Sequence, residues 1–229
     1  MQAWIGVDLD GTLAEYDERR GLEHIGRPVP AMLARVREWL AQGFDVRIFT
    51  ARASDPALTM TVKPWLREHN LPDLPVVNTK DLQLVQVWDD RAVQVERNTG
   101  RVITPRQYIQ LVPQGWIGVE LDGVLATATT PQALSVIGEP VDAMMNRIRQ
   151  WVMVDVDVRI LTARAGVEGQ VSLIHQWLAS HGIKPLPVTD QKDFRMVQFF
   201  DCDAVHVICN RGDLSSMECP ALSMQYRYH

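Results

Sequence analysis

W-I-G-V-D-L-D-G-T-L-A, residues 4–14, returns as W-I-G-V-E-L-D-G-V-L-A at 116–126, a shift of 112 positions. The same shift places R-I-F-T-A-R-A (47–53) on R-I-L-T-A-R-A (159–165), Trp65 on Trp177, Lys80 on Lys192 and Asp89 on Asp201. From 4 to 100, 43 of 97 positions match the residue 112 further on, with no insertion. Agreement of this extent makes the repeat the unit of architecture. It predicts two domains, 1–113 and 114–229, each long enough to bury a core of its own. The join is expected at V-P-Q-G (112–115), a Pro/Gly punctuation too short to be a tether, so the two domains are expected to touch.

Within each copy, apolar strands alternate with helical segments. A-W-I-G-V-D (3–8) reads as a buried strand that ends on an acid. Met32, Val36, Trp39 and Leu40 fall at helical spacing before Gly43. D-V-R-I-F-T is a second strand ending on Thr50. A helix is expected from Asp55–Pro56 to His69, with Pro64 inside it expected to delay or kink it. P-V-V-N (75–78) and L-Q-L-V-Q-V-W (82–88) read as a third and a fourth strand, 91–98 as a helix and R-V-I-T (101–104) as a fifth strand. Such alternation predicts an α/β fold: two tandem Rossmann-like domains, each a parallel sheet covered by helices. Chemistry in these sheets collects at the carboxyl ends of the strands. Asp8, Thr50 and the pair Asp89–Asp90 are expected there.

The net charge of –5 gives no nucleic-acid footprint over the whole chain. Arg outnumbers Lys by 19 to 4, and two of the four lysines, Lys80 and Lys192, are repeat equivalents. Cys202, Cys209 and Cys219 match no zinc spacing, and an odd number argues against a disulfide framework. With no signal-peptide pattern and no membrane-length apolar run, a cytoplasmic protein is expected.

Asp8 and Asp10, one residue apart where a strand ends, can turn both carboxylates into one small volume. Asp89 and Asp90 add to the same place from a neighbouring strand end. Four carboxylates in one site repel unless a cation is bound. A hard divalent ion resolves this, and Mg2+ is the usual choice beside phosphate. Lys80 balances further charge, and Thr50 can donate to a phosphate oxygen. A carboxylate nucleophile, a carboxyl proton shuttle, a metal and a lysine together suit phosphoryl transfer through an aspartyl-phosphate.

D-L-D-G-T, the strand-final Thr of R-I-F-T, a Lys and W-D-D, in this order, resemble the four motifs of the haloacid dehalogenase (HAD) superfamily of phosphatases. The likeness spans residues 4 to about 104 and recurs in the second copy. It implies a sheet of order 3-2-1-4-5 with no room for a cap domain, and a Mg2+-dependent phosphomonoesterase. By motif, Asp8 would be nucleophile and metal ligand. Asp10 would be general acid/base with its backbone carbonyl on the metal. Thr50 and Lys80 would hold the phosphoryl group, and Asp89 and Asp90 would complete the metal site. T-A-R and D-D-R also resemble the phosphatase domain of phage-type polynucleotide kinase/phosphatases and some nucleotidases. That likeness would put Arg52 and Arg91 at the rim of the site, facing substrate: a phosphorylated small molecule or a nucleic-acid end.

The second copy keeps Asp122, Thr162, Lys192 and Asp201 but replaces Asp8 by Glu120, Thr12 by Val124, Asp90 by Cys202 and Arg91 by Asp203. An added methylene moves a carboxylate by about 1 Å, and misplacement on that scale can cost ~100-fold in rate. The second site is therefore expected to be degenerate, able at most to bind phosphate or metal. The competing reading is a non-catalytic protein whose two copies bind a phosphorylated ligand or partner. Trp39, Trp65 and their equivalents are expected in the core, and His69 and His181 at helix C-termini, where the helix dipole favours them.

Overall fold

In the computed structural model, residues 2–104, 115–128 and 134–214 are described. Ten strands and four α-helices lie among them, arranged as two five-stranded sheets. The strands are β1 Trp4–Val7, β2 Asp45–Phe49, β3 Val76–Val77, β4 Leu84–Asp89 and β5 Ala92–Gln94. Their equivalents are β6 Trp116–Val119, β7 Asp157–Leu161, β8 Val188–Thr189, β9 Met196–Asp201 and β10 Ala204–His206. The helices are α1 Pro30–Ala41, α2 Pro56–Glu68, α3 Asp142–Met153 and α4 Gln170–Ser180.

One sheet has the order β10-β4-β1-β2-β3 and the other β5-β9-β6-β7-β8. Parallel pairing joins β1 to β2 and β4, β2 to β3, β6 to β7 and β9, β7 to β8, and β5 to β9. The expected order 3-2-1-4 is thus present in each copy, but the fifth strand is exchanged. Repeat one donates β5 to the sheet of repeat two, and repeat two donates β10 to the sheet of repeat one.

This corrects three expectations. Residues 91–98 are not a helix. R-A-V-Q-V alternates with period two and is rich in β-branched residues, which suits a strand once no crossover helix is required. R-V-I-T is not the fifth strand: only Val102 within it pairs, as an isolated bridge to Val95. Nor is the division a simple cut at 113/114. One compact unit comprises Met1–Val77, Gln83–Asp90 and Val205–His229, and the other Asn78–Leu82 and Arg91–Ala204. The expected join at 112–115 lies almost wholly outside the described residues.

The exchanged strands are part of the hydrophobic interiors. Val205 and Val207 pack in the core of the first unit with Val7, Leu13, Met32, Val36, Ile48, Leu66 and Trp88. Val93 and Val95 pack in that of the second with Val119, Leu125, Met144, Ile148, Ile160 and Phe200. Burying a valine side chain contributes roughly 1.5–3 kcal/mol, so neither exchange is a loose edge contact.

Helix α1 starts at Pro30, whose fixed φ and missing N–H suit the first turn. It buries Met32, Val36 and Trp39, the apolar stripe visible in its sequence, and Trp39 meets Trp88 edge-on at 4.9 Å. Asp55 caps α2 by accepting from the Ala57 N–H. Helix α2 runs through Pro64 and ends at His69, the C-cap residue, so the proline neither delays its start nor ends it. Among the described residues no helix is long and apolar enough to cross a membrane.

Candidate functional site

In the first unit, β1 and β4 lie side by side and in parallel, so their carboxyl ends open at the same edge of the sheet. Asp8 follows β1, its N–H donating to the Trp88 carbonyl at 2.9 Å. Asp89 closes β4, and Asp90 follows. One ligand oxygen from each of Asp8, Asp89 and Asp90 lies within 4.8 Å of the others. Asp8 is 4% exposed and Asp89 fully buried. The turn after Asp8 needs Gly11: its φ is +89°, and a Cβ there would stand 2.5 Å from Asp90 Oδ2. The Thr12 hydroxyl accepts the Asp90 N–H at 3.0 Å and fixes the start of that residue. Three carboxylates converging without a sulfur or imidazole donor in the group could hold a hard cation.

Asp10 is not in that group. Arg52 Nε and Nη2 donate to its two oxygens, each at 2.7 Å. The guanidinium also donates to the carbonyls of Leu22 and His24. Arg52 is fully buried. It therefore does not stand at a rim facing substrate, as the resemblance implied; it fixes the orientation of the Asp10 carboxylate, which is no side-chain member of the metal group. Arg52 reaches this place because Thr50 follows β2 and caps a short 3-10 turn, its hydroxyl accepting the Arg52 N–H at 3.3 Å. The second unit repeats the arrangement: Arg164 donates to Asp122 at 2.7 and 2.8 Å and to the carbonyls of Leu134 and Val136. Thr162 caps the equivalent turn.

Lys80 is also placed differently from expectation. Its segment pairs antiparallel with the equivalent segment of repeat two through Thr79 and Gln191. The Lys80 N–H donates to the Asp190 carbonyl and that of Lys192 to the Asn78 carbonyl. This carries the Lys80 ammonium into the second unit, where it donates to Glu120 and, at 2.6 Å, to Asp201. The degenerate site thus receives its cation from the other repeat. Burial works against the ammonium, but attraction to Asp201 and Glu120 outweighs it and holds Lys80 charged well above its ordinary range. Burial pushes the Glu120 carboxyl up despite Lys80. Lys192 is itself buried, at 2% exposure.

Arg91, expected beside substrate, immediately precedes β5 and belongs to the second unit, with Nη1 on the Met196 carbonyl at 2.8 Å. A second group of converging ligand atoms comprises Asp201, Cys202 and Asp203. Here Asp201 is paired with Lys80 and Asp203 with Arg97. Burial, reinforced by Asp203 and Asp201, pushes the Cys202 thiol well above its usual value. A protonated thiol between two ion-paired carboxylates is a poor ligand set for Mg2+.

Two features escaped the sequence reading. His206, from exchanged β10, is buried in the first unit; burial lowers its pKa, and the Asp89 charge offsets this in part. The second is a cleft of about 600 Å3 in the same unit, walled by Tyr16, Arg20, His24, Arg27, His69 and Asn210, among others. Both had a signal in the repeat. Gln94 stands where His206 does, and most of the cleft's charged side chains have no counterpart 112 residues on.

Comparison with protein-family models, curated proteins and solved structures returns no match to this chain.

Proposed function

We propose that the chain is a Mg2+-dependent phosphomonoesterase of the HAD type, built from two Rossmann-like repeats and working at Asp8 of the first unit. The convergence of Asp8, Asp89 and Asp90 at neighbouring strand ends carries this reading. These three residues would hold the ion, which would neutralise charge on the transferring phosphoryl group. Asp8 attacks phosphorus as the ester oxygen leaves with a proton from Asp10, giving an aspartyl-phosphate. Water, deprotonated by Asp10, then releases phosphate and restores Asp8. Arg52 holds the Asp10 carboxylate in place through both of its oxygens. Thr50, at the end of β2, would hydrogen-bond a phosphate oxygen.

The second unit supports binding or scaffolding instead of turnover: Glu120 replaces the nucleophile, and a buried ammonium already engages Glu120 and Asp201. Release of phosphate from a panel of esters, p-nitrophenyl phosphate included, tests the reading. Wild type with Mg2+ is expected to turn over, Asp8→Asn to be inactive and Glu120→Gln to keep most of the activity. Activity that survives Asp8→Asn but not Glu120→Gln would reverse the roles of the two units.

A further inference from the structure

We propose that the cleft of the first unit binds the nucleoside portion of a nucleoside monophosphate; as a subsite of the Asp8 centre, it rests on the phosphatase reading. The cleft is joined to the acidic motif on two sides. Asn210 donates its N–H to the Gly11 carbonyl at 2.7 Å, and its side chain clamps the Tyr16 backbone, accepting from N–H at 2.6 Å and donating to the carbonyl at 3.0 Å. On the other side Arg52 ties Asp10 to the carbonyls of Leu22 and His24, in the segment that forms a cleft wall. Gly26 lets that wall close on the first: a Cβ there would lie 2.1 Å from the Glu15 carbonyl oxygen.

The second unit keeps this scaffold and loses the lining. Asn98 donates to the Gly123 carbonyl at 2.7 Å and accepts the Ala128 N–H at 2.6 Å, as Asn210 does for Gly11 and Tyr16. Trp177 donates to the Gly138 carbonyl as Trp65 donates to that of Gly26. Yet Tyr16 becomes Ala128, His24 becomes Val136, Arg27 becomes Glu139 and, in sequence, Arg20 becomes Gln132. At Ala128, Val136 and Glu139 the described backbone therefore forms without the side chains of Tyr16, His24 and Arg27, and folding does not account for those three in the unit that keeps Asp8.

Their chemistry selects the ligand. Among the described residues Arg20 and Arg27 make no side-chain ion pair, although both line the cleft. Guanidinium planes and the Tyr16 ring offer flat faces for a base. Glu15, Asp17 and Glu68 offer acceptors for sugar hydroxyls and exocyclic amines. A volume of about 600 Å3 suits a mononucleotide-sized ligand.

Calorimetric titration of Asp8→Asn protein in Mg2+ with adenosine 5′-monophosphate, ribose 5-phosphate and inorganic phosphate tests the inference. The nucleotide is expected to bind about tenfold tighter than the sugar phosphate, the order of one base–aromatic contact. Tyr16→Ala and Arg27→Glu, each introducing the side chain that the second unit folds with, should each erase most of that preference. Equal affinity for all three ligands, or a preference untouched by both variants, would overturn it. Turnover of p-nitrophenyl phosphate by wild type keeps the two readings apart. Catalysis without nucleotide preference sinks only the cleft, and nucleotide binding without hydrolysis of any ester sinks only the phosphatase.

Discussion

Arg52 and Asp10 meet fork to fork, with two N–H···O bonds of 2.7 Å, at a position where the arginine has no solvent exposure. A planar fork satisfies both oxygens and two backbone carbonyls at once; an ammonium on a flexible stem cannot. Arg52→Lys is expected to cost roughly 1–3 kcal/mol in unfolding free energy, the penalty for orphaned buried acceptors. It should also lower kcat on a phosphate ester by at least about tenfold. Arg164→Lys should cost similar stability and leave kcat unchanged. Urea unfolding and steady-state kinetics on both variants check this; equal kinetic losses would show that Arg52 serves the fold alone.

Lys80 is expected to be the more damaging residue to lose, although it lies in the unit that carries Glu120 in place of Asp8. Lys80→Met leaves Glu120 and Asp201 buried against each other, and breaking a buried pair costs about 3–5 kcal/mol. The sign with pH follows from linkage. Glu120 already takes up a proton more readily in the folded state than when unfolded. Without Lys80 that tendency grows, so the folded variant binds more protons than the unfolded chain above the ordinary Glu value, and its stability falls as pH rises. Wild type should show a smaller loss over the same range, since the charged Lys80 ammonium opposes the rise of Glu120. Thermal unfolding at pH 5 and pH 8 reads the difference. Lys80→Met/Glu120→Gln should recover part of the loss at pH 8, and no recovery would remove Glu120 from the explanation.

The two cysteines described should differ in reactivity. Cys202 is held protonated by burial and by neighbouring carboxylates, whereas Cys209 is exposed. Since the thiolate is the reacting species, iodoacetamide at pH 8 is expected to modify Cys209 at least about tenfold faster. Peptide mapping over time measures the ratio. Comparable rates would mean that the Cys202 environment opens in solution.

Separate production of residues 1–113 and 114–229 tests the strand exchange. Each fragment keeps four strands of its own sheet and carries the strand that completes the other. Neither is expected to unfold cooperatively alone, while an equimolar mixture should recover native circular dichroism. Two fragments that each fold as independent monomers would show that β5 and β10 can pair within their own repeats.

Local sequence revealed most of the strands, the helices and the carboxylate cluster, because each is encoded by contiguous pattern: a buried run ending in Asp8, a helical stripe through Met32 and Trp39, a second run ending in Asp89. The destination of β5 was not legible. Val93 and Val205 are identical in type and 112 apart, so the apolar pattern does not say which sheet takes which strand; the deciding feature is that only two residues join β4 to β5, too few for a parallel crossover within one sheet. Lys80 was misplaced for the same reason, since its own segment also crosses between units. Arg52 was legible in principle. Its equivalent, Arg164, persists in the copy where Glu120 replaces Asp8, as expected of a residue that supports the backbone and not of one reserved for substrate.

The exchange of β5 and β10 also changes what the second repeat is for. After a duplication, a copy that loses its chemistry is normally free to decay or be deleted. Here deletion of the copy bearing Glu120 would remove Val205 and Val207 from the core beneath Asp8. Its Glu120, Cys202 and Asp203 depart from the first copy, while its strand β10 stays under the same packing constraint as the core beneath Asp8. The chain is in this sense a covalent heterodimer, one half retained for what it lends to the other.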